Sequence, residues 1–175
     1  PNAGKSTLIS RISNARPKVA GYPFTTLVPN LGIVKLEEGE SFVAADIPGL
    51  IEGAHKGKGL GHQFLRHIER TRLLLHLIDF SDVETENILD RYHKLQKELK
   101  AFSKDLFQKP QILVATKMDA PQSVSNFKNM GPLMNELNPF LFAISSVTGE
   151  GIEKLLWKIK ECLIAKKLTE EEKEL

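Results

Sequence analysis

Apolar positions along this chain follow two kinds of pattern. Ile88, Tyr92, Leu95, Leu99 and Phe102 fall three and four residues apart, as do Ile152, Leu155, Leu156, Ile159 and Leu163. That spacing puts side chains on one face of an α-helix. It predicts helices over Lys5–Asn14, about Leu60–Thr71, Glu86–Phe102, Val124–Leu137 and Ile152–Ala165. Between them, short apolar runs predict strands over Leu31–Leu36, Phe42–Asp46, Leu73–Asp79, Gln111–Thr116 and Leu141–Ile144. The run in Gln111–Thr116 fits a strand buried on both faces. Glu37-Glu38-Gly39-Glu40 is short enough to join the first two strands as an antiparallel hairpin. Helices separate the later strands, so these should be parallel with right-handed crossovers. The result is an α/β fold, a mostly parallel sheet with helices on both faces. Its apolar helical stripes are core faces rather than cofactor contacts, because helices bury such a face by default.

In such folds ligand loops collect at the carboxyl ends of the parallel strands, and the chemistry-bearing residues of this chain fall there. Pro1-Asn2-Ala3-Gly4-Lys5-Ser6-Thr7 reads as the close of a phosphate loop of the form G-x-x-x-x-G-K-[ST]. Glycine lets the backbone approach phosphate, and the helix opening at Lys5 aims its positive end at the same charge. Lys5 is placed to reach the β- and γ-phosphates and the Ser6 hydroxyl to ligate Mg²⁺. The opening glycine of the motif is absent because the chain begins at Pro1, and so is the apolar strand that delivers such a loop. The expectation is therefore a sheet whose first strand is missing from this chain.

The next loop carries Phe24-Thr25-Thr26-Leu27-Val28. A threonine here can offer its hydroxyl to Mg²⁺ and its N–H to the γ-phosphate, which would order the loop only with a triphosphate. Thr26 is taken for this role, although composition does not separate it from Thr25. Asp46-Ile47-Pro48-Gly49 closes the second strand. Its carboxylate can hold Mg²⁺ through water and the Gly49 N–H can meet the γ-phosphate. Lys5, Thr26 and Gly49 are thus the residues expected to act on the transferred phosphate.

Thr116-Lys117-Met118-Asp119 ends the apolar strand that starts at Gln111. Asp119 can accept two hydrogen bonds from guanine N1–H and N2–H₂, groups adenine cannot match. A buried carboxylate left unpaired is costly, so adenine should be rejected. Lys117 can lie along the base, and Ser145-Ser146-Val147 can place a backbone N–H on guanine O6. The motifs stand in the order and spacing of a guanine-nucleotide site.

Longer blocks make the chain resemble the GTP-binding domain of the Obg family, bacterial ribosome-associated GTPases. They are Ile47-Pro48-Gly49-Leu50-Ile51-Glu52-Gly53-Ala54-His55, the glycines Gly57, Gly59 and Gly61, Phe64-Leu65-Arg66-His67-Ile68-Glu69-Arg70-Thr71, and Phe24 through Gly32. The resemblance covers Pro1 to about Leu163. It implies a P-loop NTPase fold of the Ras-like GTPase type, with slow Mg²⁺-dependent hydrolysis of GTP to GDP and phosphate. It also implies a switch role in assembly of the large ribosomal subunit and in stress response, and contact with GTP, GDP and stress nucleotides such as (p)ppGpp. A glycine-rich domain upstream is implied as well. The family usually has Asn where this chain has Thr116, and Ala where it has Ser146; Rho-type small GTPases carry Thr at the place of Thr116.

Leu50 follows the Asp46 motif where Ras-like enzymes carry a water-orienting glutamine, and leucine cannot take that role. Slow turnover, helped by a partner or an ion, is the consequence. In potassium-activated GTPases an Asn at the position of Asn2 ligates K⁺, which neutralises transition-state charge; the bland reading of Asn2 is a loop hydrogen-bonder. The alternative function is a guanine-nucleotide sensor with negligible hydrolysis.

Composition bounds these readings. The chain has 175 residues, 26% of them charged, with a net charge of +2. That is room for one sizeable core. A single GTP-binding domain is expected over residues 1–168, with an acidic fraying tail at 169–175. No apolar run reaches the length of a membrane span and no signal peptide is visible, so a cytoplasmic soluble protein is expected; it is also expected to be monomeric. The lone Cys162 excludes an intramolecular disulfide, and the histidines lack zinc-ligand spacing. His62, Arg66 and Arg70 share one face of the predicted helix after the glycines. That face suits ribosomal RNA or another acidic partner as well as it suits solvent.

Overall fold

The computed structural model describes residues 2–13, 18–19, 30–36, 39–47, 70–81 and 85–171. In chain order the elements are α1 (Lys5–Ile12), β1 (Lys18–Val19), β2 (Asn30–Lys35), β3 (Ser41–Ala45) and β4 (Leu74–Asp79). There follow α2 (Thr85–Phe102), α3 (Lys104–Phe107), β5 (Gln111–Thr116), α4 (Pro121–Leu137), β6 (Leu141–Ala143) and α5 (Ile152–Glu171). The predicted helix at Leu60–Thr71 falls almost wholly outside the described residues.

β2 and β3 form the expected antiparallel pair, in register from Leu31 opposite Ala45 to Lys35 opposite Ser41. The two-residue β1 adds to the other edge of β2, a strand too short to leave a hydrophobic pattern. β4, β5 and β6 are parallel, with Leu77 opposite Val114 and Val114 opposite Phe142. The described strands therefore make one antiparallel and one parallel three-stranded sheet. A cavity of about 940 Å³ lies between them, lined by β3, β4 and the inner side of α1 and α5.

β5 explains why a continuous apolar run was needed. Ile112 and Val114 join Leu8 and Ile12 of α1, Val34 of β2 and Leu155 and Ile159 of α5 in one core. Leu113 and Ala115 point the opposite way, into a second core with Ile78, Phe80, Ile88 of α2 and Met134 of α4. Alternate side chains of one strand thus serve both layers, and helices cover both faces as anticipated. A third, smaller cluster of Leu74, Leu99 and Leu106 closes the lower end of β4. There Ser103 caps α3 by accepting a hydrogen bond from the Leu106 N–H at 3.2 Å.

Element ends differ from the sequence reading where local chemistry overrides periodicity. α4 starts at Pro121 rather than Val124, because proline in the first turn needs no N–H partner and already has helical φ. α5 runs through Thr169 to Glu171 rather than ending at Ala165, so part of the expected tail is helical. His76, stacked on Tyr92 with ring centroids 5.3 Å apart, is pushed down to a pKa of about 4 by burial and stays neutral in the core.

Among the glycines described, the one in the turn before α5 leaves least room for a side chain. Gly151 has φ 75°, and a Cβ there would lie 2.1 Å from the Ala143 carbonyl oxygen. Left-handed backbone and a clash with a rigid strand act together. Gly151→Ala should lower stability by about 3 kcal/mol, a fall in Tm of roughly 6–12 °C for a chain this size. Thermal unfolding followed by circular dichroism checks this; an unchanged Tm would refute the account of the turn.

Candidate nucleotide site

The phosphate end is built from backbone. Asn2 and Gly4 both take left-handed conformations, φ 57° and 83°, and alternation of this kind turns successive N–H groups into one concavity. Gly4 is the N-cap of α1; no side chain caps the helix and its first turn carries no acid. The Leu8 N–H donates to the Gly4 carbonyl at 2.8 Å, the helical bond that closes this turn. The N–H groups of Lys5, Ser6 and Thr7 precede it, and in a helix the first N–H groups have no internal acceptor. An anion completes such an end.

Asp46, buried at the end of β3, faces this turn. Its Oδ2 accepts from the Ser6 hydroxyl at 3.4 Å. Its Oδ1 is buried without a hydrogen-bond partner and lies 3.9 Å from Lys5 Nζ. A hydroxyl and an orphaned carboxylate oxygen side by side are hard donors that suit Mg²⁺, which keeps several waters and takes few protein ligands. The residues present therefore fit the metal. Ala3 and Ile47 flank the pair and line the adjoining cavity.

The base end hangs from β5 and is held from both sides. Thr116, 2% exposed, donates its hydroxyl to the Ile78 carbonyl of β4 at 3.1 Å. Lys117, with φ 61°, sends Nζ to Asp79 Oδ2 at 2.5 Å. On the other side the Met118 N–H donates to the Ile144 carbonyl, and the Ser145 hydroxyl donates to Asp119 Oδ1 at 2.6 Å. The Thr148 N–H in turn donates to Ser145 Oγ at 3.1 Å, and Arg11 of α1 reaches the Thr148 carbonyl at 3.3 Å. The base motif is thus tied to β4, to the loop after β6 and, through that loop, to α1.

Two details differ from the sequence expectation. Asp119 is exposed rather than buried, so its desolvation begins only when a base covers it. The Ser145 N–H is already given to the Glu150 carbonyl at 3.0 Å, which leaves Ser146 and Val147 as the N–H donors of that loop. Val147 is 69% exposed at its rim. Ser145 gains a role that the sequence did not suggest, since its hydroxyl aims Asp119. Asp79 and Ser81 stand beside Lys117 without any motif to announce them; the available signal is an acidic residue ending an apolar strand next to β5. Pro1, Phe24, Thr25, Thr26, Leu27, Val28, Pro48 and Gly49 lie outside the described residues. Among those described, no helix is long and apolar enough to cross a membrane.

Comparison with known proteins shows the family and the fold. The chain is 55% identical over 158 residues to a GTPase Obg of Syntrophomonas wolfei subsp. wolfei, which covers 90% of this chain and 37% of that protein. It is equally 55% identical over 161 residues to the GTPase Obg of Thermodesulfovibrio yellowstonii, covering 92% of this chain and 48% of the relative. The chain therefore spans less than half the length of these relatives. Among solved structures, the G domain of the T. maritima FeoB iron transporter superposes with a TM-score of 0.65 at 23% identity, covering 93% of each chain. Aquifex aeolicus Era bound to GDP and AlF₄⁻ gives 0.63 at 23% identity, covering 91% of this chain and 52% of that one. At that identity both likenesses concern the fold, a P-loop GTPase G domain. Residues 1–117 match the family described as 50S ribosome-binding GTPase; the chain belongs to that family and carries a G domain of the Obg type.

Proposed function

We propose that this chain binds GTP and GDP with Mg²⁺ and hydrolyses GTP slowly, acting as a switch for a partner on the large ribosomal subunit during its assembly and under stress. The observation that carries the reading is the pairing of two ends. An uncapped helix start beside an orphaned Asp46 oxygen suits a magnesium-bound phosphate, and an aimed, exposed Asp119 suits a guanine edge.

Lys5 lies close enough to Asp46 to pair with it in the free protein and can turn to the β- and γ-phosphates when nucleotide enters. Bound Mg²⁺ would supply charge neutralisation between those phosphates, held by Ser6 and, through water, Asp46. Thr26 and Gly49 are assigned to the γ-phosphate, so that loss of phosphate releases their loops. Leu50 offers no group to orient water, which supports slow intrinsic turnover and help from a partner or ion. Asn2, with its left-handed backbone at the loop, is the candidate K⁺ ligand. Stress nucleotides would share the guanine end and the phosphate turn.

Multiple-turnover phosphate release with GTP, in K⁺ and in Na⁺ buffers containing Mg²⁺ and with ATP as control, tests the reading. GTP-specific turnover that is faster in K⁺ is expected. Equal rates in the two salts would remove the role given to Asn2. Tight GTP binding with no phosphate release would make the chain a guanine-nucleotide sensor instead.

A further inference from the structure

The base motif lies at the ends of two neighbouring strands, and one carboxylate connects them. Asp79 ends β4 in register with Thr116 of β5, so its side chain emerges beside Lys117. Both its oxygens are engaged. Oδ1 accepts from the Ser81 N–H at 2.8 Å and from the Ser81 hydroxyl at 2.6 Å, and Oδ2 accepts from Lys117 Nζ. The Asp79 side chain is 13% exposed and that of Lys117 40% exposed. The acid is thus anchored and the base is the movable member of the pair. Burial alone would raise the Asp79 pKa; the Lys117 and Ser81 donors outweigh it and hold the carboxyl below its ordinary range, so it stays ionised at neutral pH.

Lys117 needs such an anchor. Its φ of 61° places it in the left-handed region that L-residues other than glycine seldom adopt. A strained residue persists only where its surroundings over-determine it. Thr116 before it and Met118 after it are bonded to Ile78 and Ile144, which fixes the backbone. Among the described residues, it is Asp79 that fixes the ammonium. A lysine free to rotate would lose side-chain entropy on lying along a base, a loss of up to roughly 2 kcal/mol.

We propose that Asp79, braced by Ser81, is a positioning residue that pre-orders Lys117 for the guanine base. The inference rests on the assignment of Lys117 to the base site. It places part of the guanine affinity on a strand that carries none of the sequence motifs of that site.

A double-mutant cycle tests it by titrating GDP and GTP against the protein, Asp79→Ala, Lys117→Ala and the double variant, with Tm recorded for each. Asp79→Ala should weaken GDP and GTP alike by about tenfold, with their ratio unchanged because the phosphate end is untouched. In the Lys117→Ala background the same change should have no further effect. Asp79→Asn, which keeps shape and an acceptor, should recover part of the loss. Equal weakening in both backgrounds, or a loss that follows the fall in Tm alone, would make Asp79 a structural residue and overturn the proposal. If Lys117→Ala weakens binding and Asp79→Ala does not, the positioning role falls while the base site stands. Should Lys117→Ala itself leave affinity unchanged, the base-site assignment and the proposal fall together.

Discussion

Asp119→Ala should lower affinity for GDP about a thousandfold and remove the preference for guanine over adenine. The carboxylate is positioned for two charge-assisted hydrogen bonds to one base edge, each contributing roughly 1.5–3 kcal/mol. Their loss, taken at about 4 kcal/mol, corresponds to three orders of magnitude in Kd. The geometry strengthens this expectation. Ser145 already holds Asp119 Oδ1 at 2.6 Å, so little ordering of the acid remains when the base arrives. Its exposure in the free protein means that removal should barely change Tm, which separates a binding loss from unfolding. Asp119→Asn makes a sharper test, because its amide presents a donor where the carboxylate presented only acceptors. Preference should then move towards xanthine nucleotides, whose O2 accepts where guanine N2 donates. Titration of GDP, ADP and xanthosine diphosphate against both variants decides the matter, and retained guanine preference in either would sink the base-site assignment.

Lys5→Ala should weaken GTP by about 10²–10³-fold, and GDP by less. The range corresponds to about 3–4 kcal/mol, the loss of charge-assisted contacts to the β- and γ-phosphates at roughly 1.5–3 kcal/mol each. The size follows from position. Lys5 opens α1, 3.9 Å from a buried carboxylate oxygen that has no other partner. Without the ammonium, the Asp46 charge faces the incoming phosphates unopposed, so attraction is lost and repulsion added. GTP suffers more because its γ-phosphate carries the charge nearest this corner. The Lys5 side chain is 36% exposed, and its pair with Asp46 is too long for a hydrogen bond; because the variant leaves that buried oxygen unopposed, Tm recorded beside each titration separates a binding loss from a fall in stability. Calorimetric titration with both nucleotides checks the ratio; equal losses for GTP and GDP would place Lys5 away from the γ-phosphate.

Much of the candidate site was legible because its chemistry uses short, contiguous words. Gly4-Lys5-Ser6 needs neighbours in sequence, since a turn and the first residues of a helix must meet one phosphate group. Thr116 to Asp119 is likewise a strand end and its turn. What escaped notice is carried by residues far apart in sequence. Thr116 is 38 residues from Ile78, Lys117 is 38 from Asp79, and Ser145 is 26 from Asp119. No spacing rule announces a serine that aims an acid or an aspartate that anchors a lysine. Thr116 illustrates the difference. As a word it read as a departure from the asparagine usual in the family; in space its hydroxyl serves β4 at 2% exposure.

The sequence by itself determined most of the described long helices and strands, their direction, and the candidate residues of the site, but not the short β1 and α3. Helical and strand periods are local consequences of which side chains must leave water, and the apolar run of β5 fitted a strand buried on both faces. The tertiary structure alone decided register, because pairing depends on which faces meet. It also decided that the base motif is braced by β4 on one side and by the loop after β6 on the other. Such contacts arise only when strands distant in the chain are brought side by side. Their free energy comes from ordering groups against one another in a shared, partly dry environment.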